Sequence, residues 1–239
     1  MQRIMDLIEQ ERRQVERGEF FRWLDAPSQN DAQKLAFIPA MYFYVLSFRD
    51  LLNLLTGEED GALQTAVNAY VEEDAGHFVW YLDDLAHSGF GAIEPIALWD
   101  RRLLPSRRAI YRMISHAMNY EEPIMRAIIV AIFEATGEIF FRHTKALVDR
   151  LGLDDELSYF GKKHYEDEVS HSVKMDELAE LSLTEGQFVV AREMVRTAFM
   201  EYDGLFDSWM ESAKAYGSEI ELYDGCSPVA PTLARAGAA

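Results

Sequence analysis

The sequence predicts an all-α fold, a bundle of about seven helices. Apolar residues recur at three- and four-residue spacing almost throughout, and no segment alternates apolar and polar residues between hairpin signals as a strand would. The helical segments are long and the breaks between them short, which is the pattern of antiparallel neighbours. The 239 residues suffice for one large domain with a substantial core. No linker divides them, so residues 1–216 read as one domain and residues 217–239 as a C-terminal tail carrying Gly225, Pro228 and Pro231.

The first predicted helix covers Met1 to Arg17. A second follows Pro27, with Ser28 as its cap and Asp31 favourable to its dipole, and runs to about Leu55. Pro39 lies inside it and predicts a kink. The run from Phe37 to Leu46 is apolar on nearly every side, which predicts a central, buried position. A third helix spans about Asp60 to His87. After a loop over residues 89–105, Ser106 is expected to cap a fourth that ends near Tyr120. Pro123 suits the first position of a fifth, which continues to Leu151 and Gly152. A sixth covers about Asp154 to Leu181. Thr184 and Gln187 have the spacing of a capping box for a seventh that ends near Tyr216.

The formal net charge is −18 and the isoelectric point about 4.7. That field repels phosphate backbones and anionic lipid heads, so neither nucleic acid nor a membrane surface is an expected partner. The single cysteine, Cys226, excludes an intrachain disulfide and a cysteine-rich zinc site. With no leader-like start and no apolar run expected to span a membrane, the expectation is a soluble cytoplasmic protein. A homodimer is compatible with such a bundle, without a specific signature.

The chemistry concentrates in the run His164-Tyr165-Glu166-Asp167-Glu168-Val169-Ser170-His171. On a helix of about 100° per residue, Glu168 lies about 40° and His171 about 20° from His164, so all three share one stripe. Two imidazoles and a carboxylate on one face are a common transition-metal arrangement, and Glu-x-x-His is a spacing used in di-iron helical proteins. The competing reading is a solvated acidic face. On the third predicted helix, Glu73 shares a face with His77, with Asp74 about 60° away. Glu134 sits between Phe133 and Ala135 in an apolar stretch, where a charge is costly unless a metal, a cation or a proton compensates it. Structural alternatives exist for each: His77 as a hydrogen-bonded core histidine, Glu134 paired with an arginine such as Arg142. Oxygen and nitrogen donors from three helices favour iron or manganese over zinc.

The order His77, Glu134, His164-x3-Glu168-x2-His171 resembles the haem-oxygenase-like di-iron oxidases, as do the runs Glu73 to Leu85 and Tyr159 to His164. The resemblance spans about residues 30–215. It implies a haem-oxygenase-like bundle holding two iron ions that activate O2 toward a small-molecule substrate. It also implies Glu73, His77, Glu134, His164, Glu168 and His171 as metal ligands, with Glu134 placed to bridge. One position departs: these oxidases commonly carry a carboxylate where this chain has Tyr70. Glu73 could replace it, and Tyr70 reads as a packing residue or as an oxidisable one at the site. Haem oxygenase proper, with a haem-binding histidine near its N-terminus, fits less well because the first histidine here is His77. Thiaminase II-like (TenA) enzymes rely on a cysteine within the bundle, and the cofactor-free oxidase of pyrroloquinoline quinone synthesis uses basic residues. Two other functions stay open: a binding protein with a degraded metal site, and a metal-free enzyme using Glu134 and a histidine for acid–base work.

Overall fold

The computed structural model describes residues 1–28, 30–58, 61–90, 93–166 and 181–216. Among them every regular element is helical. We label the α-helices α1 (Gln2–Glu16), α2 (Glu19–Asp25), α3 (Asp31–Lys34), α4 (Tyr42–Leu55), α5 (Ala62–Asp74), α6 (His77–His87), α7 (Leu104–Asn119), α8 (Pro123–Leu151) and α9 (Glu185–Ala215). Residues 162–166 are also helical. The predicted tail lies outside the described residues.

The spine is α8 with α9. Helix α1 packs on both through Ile4, Ile8 and Val15, a stripe at helical spacing. Ion pairs edge that contact: Arg12 meets Glu138 at 2.8 Å and Arg142 meets Glu16 at 2.6 Å. Helix α7 packs on α9 and α4, and α5 packs on α8. Between α2, α8 and α9, Phe20 is 1% exposed and stacks on Phe206 at 5.4 Å and Phe140 at 6.3 Å. The capping box at Thr184 forms in both directions, and α8 starts at Pro123 and closes at Gly152 with φ 69°.

Four boundaries differ from expectation, each for a physical reason. The expected second helix is divided. Residues Leu35–Met41 wind as a 3₁₀ segment that contains Pro39, whose missing N–H and ring obstruct the α-helical bond there. Ser28 does not cap it with its side chain across a turn; its Oγ accepts from the Asn30 amide instead. The short helix α2 was not anticipated. Its C-terminal carbonyls are taken by basic side chains, with Lys34 on Leu24 and Ala26 and Arg150 on Leu24.

The expected third helix breaks at Ala75 and Gly76, so α5 and α6 are separate. Gly76 has the weakest helix preference of any residue but proline. Ser106 is fully buried and caps nothing; its Oγ accepts from Trp209 Nε1 at 2.8 Å, tying α7 to α9. The helix start is handled upstream by Asp100, which accepts from the Arg102 amide.

The expected sixth helix does not include residues 154–161, which form turns and bends. The Asp84 carboxylate takes the amides of Ser158, Tyr159 and Phe160 at 2.8, 2.8 and 3.1 Å. Backbone donors bound there cannot serve a helix. The close turn also requires Gly161, since a Cβ would stand 2.1 Å from the Leu157 carbonyl oxygen.

Contrary to the sequence expectation, Asp31–Leu55 is long and apolar enough to cross a membrane by length and composition, holding an 18-residue window of mean hydropathy 1.4. In the fold 56% of that window is buried, and all of Leu35–Met41 is within the core. Its apolarity therefore has an internal use.

Candidate functional site

A cavity of about 80 Å³ lies between α4, α5, α8 and α9, at the joint of α5 with α6. Its walls are largely apolar, from Val45, Phe48, Leu52, Phe133 and Phe140. Its polar residues include Arg49, Tyr70, Asp74, His77, Thr136 and His164.

The break after Asp74 sets the geometry of one end. His77 becomes the first residue of α6, and Asp74 Oδ1 lies 3.3 Å from His77 Nδ1. Asp74 is buried and Glu73 is exposed. The expected sharing of a face by Glu73 and His77 needs a continuous helix and does not apply. Asp74, not Glu73, is the carboxylate beside the imidazole. The His77 and His164 rings meet edge to face, with centroids 4.3 Å apart. Trp80 stacks on His77 at 4.5 Å, and Phe141 lies 3.9 Å from His164.

His164 is 2% exposed, and its Nδ1 is 3.0 Å from the Tyr159 carbonyl oxygen. A carbonyl can only accept, so Nδ1 carries a proton, and in the neutral form of the ring the lone pair is on Nε2. Metal-binding histidines are commonly oriented this way. The support runs one layer deeper, because the Tyr159 loop is the one held by Asp84. Burial pushes the Asp84 carboxyl up to about 6, against the opposing pull of the backbone amides.

Glu134 is 5% exposed. It lies seven residues before Phe141 on α8, about 20° away in direction and about 10 Å along the axis. It therefore shares the stripe that reaches His164. The bond from Arg126 to Gln64, 3.0 Å, fixes the register of α8 against α5. Moving up both helices from that tie places Glu134 between the levels of Tyr70 and Asp74. Arg142 is not its partner; that guanidinium binds Glu16 and Glu138. Tyr70 is 7% exposed and lines the cavity.

Glu168 and His171 lie outside the described residues. Among the described residues, no group of three or more His, Cys, Asp or Glu side chains is arranged to hold a metal ion. The histidines given no role stand elsewhere: His87 beside Glu156, His143 beside Asp25, His116 beside Thr197. Of the consecutive aromatics Tyr42, Phe43 and Tyr44 on α4, Tyr44 lines the cavity. Its hydroxyl meets that of Tyr202 at 2.8 Å, and burial raises both phenols well above their ordinary range. Phe43 packs on Trp99 and Tyr111, and Tyr42 against Tyr81.

Sequence reading missed Arg49 and Asp84. Both carried the signal that drew attention to Glu134, a charge inside an apolar run. Arg49 follows Phe48 in the most apolar helix, and Asp84 precedes Leu85.

A crystal structure from Shewanella denitrificans OS217, described as a domain of unknown function with a haem-oxygenase-like fold, superposes with a TM-score of 0.69. It shares 16% identity, covering 90% of this chain and 94% of that one. The fold is haem-oxygenase-like. No family model matches the sequence, and no curated protein matches it. The agreement with the expected bundle is thus one of fold, and the haem-oxygenase-like helices bring His77 and His164 together from opposite sides of the α5–α6 joint.

Proposed function

We propose that this protein is an iron-dependent oxidase or oxygenase that uses O2 to act on a small organic substrate. The observation that carries the reading is the meeting of Asp74, His77 and His164 at one end of a small apolar cavity. The residues fit iron in kind: imidazole and carboxylate donors suit iron or manganese, and no cysteine is among the described residues. Asp74, His77, Glu134 and His164 would hold the metal, with Glu168 and His171 completing the set for two ions. Glu73 is left out of this set because it faces outward.

Iron bound there supplies the redox chemistry needed to react with O2. The chain's own contribution is positional. Tyr159 keeps the His164 lone pair on Nε2, and Asp74 orients His77. The walls from Phe48, Phe133 and Phe140 exclude water around the substrate. Tyr70 contacts the substrate from α5.

Anaerobic loading of the purified chain with ferrous iron, followed by metal counting, tests the reading. About two irons per chain are expected for a site of this type, falling sharply in His77→Ala, His164→Ala and Glu134→Ala variants whose circular dichroism is unchanged. A count of one would assign a mononuclear site. No specific iron binding would overturn the proposal and leave a binding protein or a metal-free acid–base enzyme.

A further inference from the structure

The cavity has a second end. Arg49 is the only lysine or arginine among the described residues that line it. It is half-buried on α4. Among the described residues no carboxylate and no hydrogen-bond acceptor pairs with Arg49. The other buried or half-buried arginines are engaged: Arg12 and Arg142 hold carboxylates, Arg107 binds the Leu98 and Asp100 carbonyls, and Arg126 binds Gln64.

Its level in the fold follows from the hairpin of α4 and α5. Gln64 Nε2 donates to the Leu55 carbonyl at 3.1 Å, and Asn68 bonds both backbone groups of Gly57. From the Leu55–Gln64 tie, Arg49 lies six residues back along α4 and Tyr70 six residues on along α5. Both are about 9 Å from the tie, so they stand level. Asp74 lies one turn beyond Tyr70, about 6 Å further along the axis. The wall between the two ends is apolar, with Val45 and Phe48 on α4 and Phe133 across from them.

A half-buried guanidinium without an internal counter-ion, at one end of an apolar cavity, is arranged to receive an anion. Guanidinium matches the planar fork of a carboxylate, with two parallel hydrogen bonds. A phosphate dianion would bring twice the charge to a single cation, in a chain whose overall field repels anions. We infer that the cavity takes a small carboxylic acid, its carboxylate held by Arg49 beside Tyr70 and its apolar body extending toward His77 and His164. The acid group is therefore held away from the histidines, and the reactive position is on the body. This rests on reading the cavity as the substrate site of the proposed oxidase.

Calorimetric titration of the full chain with propanoate, butanoate and hexanoate, and with the corresponding neutral amides, tests it. The protein is treated with chelator so that iron plays no part. The best acid is expected to bind about ten-fold more tightly than its amide, the scale of one charge-assisted contact. Arg49→Gln should abolish that preference, and Arg49→Lys should retain part of it, with unchanged thermal midpoints. If Arg49→Gln does not fold, Arg49→Lys carries the comparison. A wild type that binds none of the acids, or does not prefer acid to amide, overturns the inference, as does a preference that survives Arg49→Gln. Repeating the iron count on Arg49→Gln separates the two proposals. Unchanged iron with lost acid preference supports both, whereas an acid preference of the wild type that is lost in Arg49→Gln, in a protein that binds no iron, would leave only this one.

Discussion

Helix α8 and the stretch from Ala62 to His87 are both long and differently built. Over 29 residues α8 runs without a break, and most of its length is apolar side chains in contact with neighbours. The other stretch breaks at Gly76 and places buried polar groups on either side: Asp74 before the break, Asp84 after it. The first is a scaffold whose order comes from packing. The second exchanges helix continuity for directed polar contacts, and the histidines meet at its break. Local rules are kept where the fold is being held and set aside where chemistry is being positioned.

The sharpest way to test that division is to damage each half separately. Phe20→Ala removes the ring at the centre of the α2–α8–α9 contact and should cost about 3–5 kcal/mol in chemical denaturation. Iron stoichiometry in the fraction that remains folded should be unaffected. Asp84→Ala leaves the amides of Ser158, Tyr159 and Phe160 without their acceptor, and should cost on the order of 3 kcal/mol. Unlike Phe20→Ala, it should also lower iron affinity, because the loop that orients His164 loosens. Equal effects of the two variants on iron binding would erase the distinction.

The same aspartate gives a pH signature. Its carboxyl is raised from 3.8 to about 6, so the folded state holds the proton more tightly than the unfolded one. Its contribution favours folding below about pH 4 and is lost as the pH rises through about 6. Denaturation midpoints measured across that window should show a fall attributable to Asp84, absent in Asp84→Asn. The smallest effect is at the break itself. A Cβ on Gly76 meets nothing within 4 Å, and its φ of −97° is open to alanine. Gly76→Ala should therefore stabilise by about 0.4–1 kcal/mol. A large destabilisation would mean that the break depends on glycine rather than on the contacts around it.

What could be read in advance follows the same line. The termini of α8 and α9 were legible because Pro123, Gly152 and the Thr184–Gln187 pair act through neighbours in sequence. Glu134 stood out because a charge in an apolar run is conspicuous, and His77 and His164 because of their helical spacing from carboxylates. The division of residues 60–87 was not legible, since the apolar spacing continues across Gly76. It matters because it replaces Glu73 with Asp74 beside His77. The bent segment 154–161 was hidden for another reason: its amides are claimed by Asp84, some seventy residues earlier in the chain. Ser106 has the local look of a cap and is instead used by Trp209 from a distant helix.

Gly161 gives this arrangement a consequence for tolerance to change. It carries no functional group and touches no substrate, yet any side chain there collides with the Leu157 carbonyl. Relief requires opening the turn that holds Tyr159, and with it the carbonyl that sets the tautomer of His164. In a survey of all single substitutions, this position would score with His77 and His164 while contributing no atom to their contact, because what it supplies is the space a hydrogen atom leaves unfilled.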